Sequence, residues 1–137
     1  MKRLVICLAL LLVSGVSHAQ TPSEKVEDFL KQVTTPESDR AMDTLFSGSG
    51  FAELKPQEVV TLKSQTKMAM GLYGTTLGFE KIREEDLSPS LKRLVYLQKF
   101  EKYPVAWEFY FYKPKDVWVI NTLNFRDQIG LLVGAKQ

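Results

Sequence analysis

Apolar residues recur every three to four positions in the first half of the chain and alternate in the second half. Thr21-Pro22-Ser23-Glu24 reads as a helix start, with Thr21 as cap, Pro22 at the first helical position and Glu24 completing a capping box. Val26, Phe29, Leu30 and Val33 then fall at i, i+3, i+4 and i+7, which predicts one apolar stripe. Thr35-Pro36 repeats the same opening. Ala41, Met42, Leu45 and Phe46 form a second stripe, which Gly48-Ser49-Gly50 ends. Pro56 opens a third helix running to about Tyr73, with Val59, Leu62, Thr66, Met70 and Tyr73 on one side and Gly71 and Gly74 at its end.

Beyond Gly74 the period becomes two. Segments 78–85, 91–102, 106–112 and 117–126, rich in aromatic and β-branched residues, read as strands. Tyr103-Pro104-Val105-Ala106 and Lys113-Pro114-Lys115-Asp116 each place proline second in a turn. Connections this short require antiparallel neighbours. The expected architecture is α+β, three N-terminal helices packed on a four-stranded antiparallel meander.

Pairing Tyr112 with Val117 sets Phe111 against Trp118, Phe109 against Ile120 and Trp107 against Thr122. Trp107, Phe109, Phe111, Trp118 and Ile120 then share the face that the helices cover. Tyr110, Tyr112, Val117, Val119 and Leu123 fall on the opposite face with Glu108 and Asn121. That face is apolar enough to predict a homodimer interface. The competing expectation is that Ile129–Val133 folds back over it.

Residues 1–19 change the chemical picture. Lys2 and Arg3, an apolar run from Leu4 to Val13, and Ser17-His18-Ala19 read as a secretory signal cleaved near Ala19. Residues 20–137 then form a single domain, periplasmic or secreted, with no stable membrane insertion after cleavage. Lys2 and Arg3 account for the whole formal charge of +2, so the remainder is balanced and gives no basis for nucleic-acid binding. Cys7 and His18, the sole cysteine and histidine, also lie in that segment. Residues 20–137 therefore cannot build Cys–His or Ser–His–Asp nucleophilic sites, or Cys/His sites for zinc, haem or iron–sulfur clusters. No cofactor and no metal are expected.

The stretch from Leu94 to Asp127, above all Phe109-Tyr110-Phe111-Tyr112-Lys113-Pro114 and the strand from Trp118 to Phe125, resembles small exported bacterial proteins of the nuclear-transport-factor-2-like (cystatin-like α+β roll) superfamily. The resemblance implies helices followed by a strongly curved meander. It implies little about activity, because that fold hosts enzymes, binding domains and dimerisation modules. No residue-by-residue match to the acid–tyrosine site of the ketosteroid isomerases of this fold is present, so no catalytic residue is assigned.

Three polar groupings remain. A turn closed by Tyr103 and Ala106 would set Glu101 opposite Glu108, a carboxylate pair suited to proton transfer but more simply two solvated side chains. Glu84-Glu85-Asp86 lacks the spacing of a calcium loop and reads as a solvated loop. Tyr73, Tyr96 and Arg126 could present hydroxyls and a cation to a small ligand at one end of the roll, or be half-buried tyrosines with wet tips. Met42, Met68 and Met70 read as packing residues. Asn121 and Asn124, disfavoured in strands, point to a polar contact or a bulge. The expectation is an exported, non-catalytic binding or assembly domain, with a small apolar ligand or an envelope protein as partner. A carboxylate–tyrosine acid/base enzyme with an apolar cavity and an accessory subunit of an envelope complex are the alternatives.

Overall fold

The computed structural model describes residues 18–128. The signal segment, apart from His18 and Ala19, and the Ile129–Val133 segment lie outside the described residues. Four helices, α1 (Pro22–Gln32), α2 (Ser38–Phe46), α3 (Gly50–Leu54) and α4 (Pro56–Leu72), precede four strands, β1 (Thr76–Ser88), β2 (Leu91–Phe100), β3 (Val105–Tyr112) and β4 (Val119–Arg126). The strands form one antiparallel sheet in chain order. The α+β class and the meander agree with the sequence pattern, but the helix count does not. The additional helix is α3, a single turn that follows Gly48 (φ +73°) and stops at Lys55, which leaves helical geometry (φ −135°, ψ 53°) just before Pro56.

Local chemistry explains the helix limits. At the start of α1, Glu24 N–H donates to Thr21 Oγ1 (3.3 Å) and Thr21 N–H donates to Glu24 Oε2 (2.7 Å), closing the capping box. Val26, Phe29, Leu30 and Val33 are all buried, as are Ala41, Met42, Leu45 and Phe46 of α2. On α4, Val59 and Thr66 are buried, with Leu62, Met70 and Tyr73 partly so. Asp43 and Asp39 of α2 accept from Lys63 (2.5 Å) and Lys67 (2.6 Å), binding α4 to α2.

The core lies between the helices and one sheet face. Phe29 packs edge-on to Trp107 (centroids 5.4 Å) and Phe109 (5.9 Å), and Tyr96 packs edge-on to Phe109 (6.2 Å). Trp107, Tyr96, Phe109 and Phe111 have no solvent exposure. Gln98 is buried among these rings, where it accepts from Trp107 Nε1 (2.8 Å) and donates to the Leu30 carbonyl (3.2 Å).

The sheet registers correct three expectations. The β3–β4 connection runs from Lys113 to Trp118, longer than the predicted turn by Val117 and Trp118, so Tyr112 pairs with Val119 and Phe111 with Ile120. A bulge at Asn121 then moves Tyr110 against Thr122, Phe109 against Leu123 and Trp107 against Phe125. Leu123 is therefore in the core (6% exposed), not on the outer face, and Val117 precedes the strand. The bulge is one of the two meanings offered by asparagine at position 121. Secondly, β2 and β3 pair Gln98 with Val105 and Val95 with Glu108, so Glu101 does not face Glu108. Glu101 instead accepts from Thr75 N–H beside Gly74, whose φ of +82° turns the chain into β1. Thirdly, Glu84-Glu85-Asp86 is strand, not loop. A two-residue turn, Pro89-Ser90, joins Ser88 to its partner Leu91, and the acidic residues pair with cations on β1 and β2.

Candidate functional site

The outer sheet face is ionic at its centre. Arg93 reaches Glu85 through Nη1 and Glu108 through Nη2, both at 3.0 Å. Partial burial works against charge on both partners. The hydrogen bonds that Tyr110 and Arg93 give Glu108 outweigh it and hold this carboxyl below its usual range, while Arg93 is held more firmly protonated. The two carboxylates and Tyr110 thus form one network, not an apolar patch.

At the turn end of the sheet an open cleft of about 800 Å³ lies among the start of α1, the β1–β2 hairpin and the β3–β4 connection. Trp118 is its aromatic wall. Lys113 Nζ stands 4.9 Å and Lys92 Nζ 6.0 Å from the Trp118 ring centre, and Lys25 donates to the Trp118 carbonyl (2.9 Å). Hydrogen bonds from Lys81 and Lys92 depress the Glu84 carboxyl to about 2. Lys92 is paired with Glu84 and Asp86, and the lining as a whole sets the carboxylates of Glu84, Asp86 and Asp116 against the two lysines Lys92 and Lys113, so the cleft has no excess of cation.

A second groove, about 390 Å³, runs between α3 and the first half of β4. Phe51, Leu54, Tyr112, Pro114, Val119 and Ile120 supply apolar walls, while Lys55, Asn121 and Thr122 are polar. Phe51 is fixed by stacking on Phe46 (5.1 Å), so this wall is anchored in the core. Leu54 stands 83% exposed at the rim. Gly48, at positive φ, turns the chain into α3, which lies against the edge strand. The bulge at Asn121 interrupts the edge that a regular added strand would need, so the groove suits an apolar group more than an extended backbone.

The residues singled out from the sequence are distributed as follows. Tyr112 and Val119, register partners, come together in the wall of the α3–β4 groove. Tyr110 sits with Glu108 and Arg93, Val117 lines the Trp118 cleft, and Leu123 is buried. Tyr73 packs on Phe100 and Tyr103 and donates to Asp127 Oδ2 (2.9 Å); burial, with Asp127 adding to it, pushes its hydroxyl pKa up. Tyr96 is buried and donates to Glu27 Oε1 (3.3 Å) on α1. Arg126 is exposed opposite Ala106 at the end of β4. The two tyrosine hydroxyls thus hold different carboxylates, and neither bonds Arg126. Sequence reasoning missed Phe51, Leu54 and Lys55. Their signal was an i, i+3 apolar pair between a glycine cluster and a proline, which suits a one-turn helix.

Among the described residues no three His, Cys, Asp or Glu side chains gather as a metal site, and no helix is long and apolar enough to cross a membrane. No protein-family model matches the chain, and neither a curated protein nor a solved structure matches it.

Proposed function

We propose that this chain is an exported, non-catalytic binding or assembly domain of nuclear-transport-factor-2-like type, and that the α3–β4 groove receives an apolar group from its partner. The observation behind this reading is the contrast between a filled interior and an open apolar groove anchored on Phe46 and Phe51. Its volume is within the range of sites that accept small ligands or single anchoring side chains. The helix-first order and the meander support the family reading. The signal-like pattern of residues 1–19 supports export, with the envelope as the place of action. For the acid–base alternative, the carboxylates with displaced titration, Glu24, Glu84 and Glu108, all move downward, opposite to a general acid held protonated near neutrality.

Octanoate is a suitable probe, an apolar chain with a carboxylate that Lys55 can meet at the rim. Titration followed by amide NMR should move Phe51, Val119 and Asn121 together, and Leu54→Glu should abolish the shifts while leaving the remaining spectrum unchanged. Shifts centred on Trp118 and Lys92, or none up to millimolar octanoate, would overturn the assignment. Intact mass of the protein recovered after export should lack residues 1–19.

A further inference from the structure

A pocket of about 330 Å³ opens between α1 and α2, away from both the Trp118 cleft and the α3–β4 groove. Phe29, Ala41 and Leu45 supply its apolar lining, and all three belong to the buried core, so this surface is fixed by packing. Lys25 and Asp28 are the only charged residues that line it. They stand at i and i+3 on α1, a spacing at which a lysine and an aspartate ordinarily pair. Here each looks elsewhere. Lys25 donates to the Trp118 carbonyl (2.9 Å) and makes no ion pair among the described residues. Asp28 accepts from Gln20 Nε2 (2.9 Å) and meets Lys31 at 3.7 Å. Burial lowers the Lys25 pKa from its ordinary value, as befits an ammonium that has given up water without gaining a countercharge. One of its three protons is used by the Trp118 carbonyl, and the Asp28 oxygens keep lone pairs for a further donor.

We propose that this pocket binds a free aliphatic α-amino acid, with its carboxylate on Lys25, its ammonium on Asp28 and its side chain against Phe29, Ala41 and Leu45. The proposal is independent of the α3–β4 groove. The charges select this chemistry. A ligand of one sign is attracted at one of the two residues and repelled at the other, whereas a zwitterion satisfies both. Neighbours on a helix face have Cβ atoms about 5–6 Å apart, which suits opposite charges carried on one carbon better than charges at the two ends of a chain. The ligand carboxylate also gives Lys25 the countercharge that its burial lacks. The volume lies at the lower end of the range for ligand sites and favours a single small molecule over a peptide. The hydroxyls of Thr44 and Ser47 complete the polar lining.

Titration of protein expressed from the whole sequence with L-leucine, followed by NMR, reads this directly. The amides of Phe29, Thr44 and Ser47 should move together and saturate, with a dissociation constant between about 10 µM and about 1 mM for so small a ligand. The Lys25 titration should move upward as leucine is added. Isocaproate, which is leucine without its amine, and isoamylamine, which is leucine without its carboxylate, should each bind at least tenfold more weakly. Asp28→Asn should weaken leucine at least tenfold without weakening isocaproate, and Lys25→Met should weaken leucine likewise without weakening isoamylamine. Asp28 is 50% exposed, so its variant carries the test even where loss of Lys25 disturbs the contact with Trp118. No saturable shift up to about 20 mM leucine would overturn the proposal. So would either analogue binding as well as leucine, leucine binding unchanged by Asp28→Asn, or shifts centred on Phe51 and Val119.

Discussion

Replacing Gln98 by leucine tests the interior most sharply. Gln98 is 1% exposed and makes two hydrogen bonds that nothing else in its surroundings duplicates. Its amide oxygen receives the indole N–H of fully buried Trp107, and its amide nitrogen satisfies the Leu30 carbonyl. That carbonyl lies in the last turn of α1, where helical acceptors run out of backbone donors. Leucine has nearly the same volume and no polar atom, so the change removes bonding without opening a large cavity. Each buried group left without a partner costs about 1–3 kcal/mol, and the greater apolar burial of leucine returns about 1–2 kcal/mol. With two groups orphaned, the net destabilisation should be about 1–4 kcal/mol. Urea unfolding should show it as a midpoint lowered by about 0.5–2 M, given ordinary slopes for a domain of this size. The Trp107 indole proton should move upfield and exchange faster, while that of Trp118 stays in place. A loss below about 0.5 kcal/mol with an unmoved indole resonance would refute the reasoning, because it would mean that the bridge between α1 and the sheet is not made.

Two further outcomes follow from the same structure. Phe109→Ala should cost about 3–5 kcal/mol, since its ring touches Phe29, Tyr96 and Trp107 with no exposure; a loss below about 1 kcal/mol in denaturant unfolding would place it on a wet face. Glu84, depressed from 4.5 to about 2 by Lys81 and Lys92, adds stability that is present above its unfolded value and lost as pH falls through about 2. Carboxyl NMR should follow that titration, and Lys92→Ala should raise it toward 4.5; an unmoved midpoint in that variant would show that the Lys92 bond does not hold the carboxylate.

What was legible in the sequence was what depends on neighbours close along the chain. The α1 capping box needs only Thr21 and Glu24, and the apolar stripes of α1 and α2 need only helical spacing, so both emerged residue by residue. The bulge at Asn121 was hinted at because asparagine is a poor strand residue. Register was not legible, because the period-two pattern is unchanged by a shift of two residues, and Tyr112 opposite Val117 or Val119 looks alike in alternation. The bulge then reversed the face of Leu123. The same ambiguity set Glu101 against Glu108, whereas the observed pairing gives Glu108 to Arg93. The groove was hidden for a different reason. Its walls come from α3 and β4, about seventy residues apart in sequence, and only the folded chain brings Phe51 to Val119.

These corrections also bear on self-association through the sheet. The outer sheet face attracted attention through Tyr110, Tyr112, Val117, Val119 and Leu123, yet Leu123 is buried and Val117 precedes the strand. What remains surrounds Arg93 between Glu85 and Glu108. Covering that face with a second copy would remove water from three charged groups already partly buried, and the dehydration of such groups commonly outweighs what their mutual attraction returns. A two-fold contact would also bring each carboxylate and guanidinium near its own image.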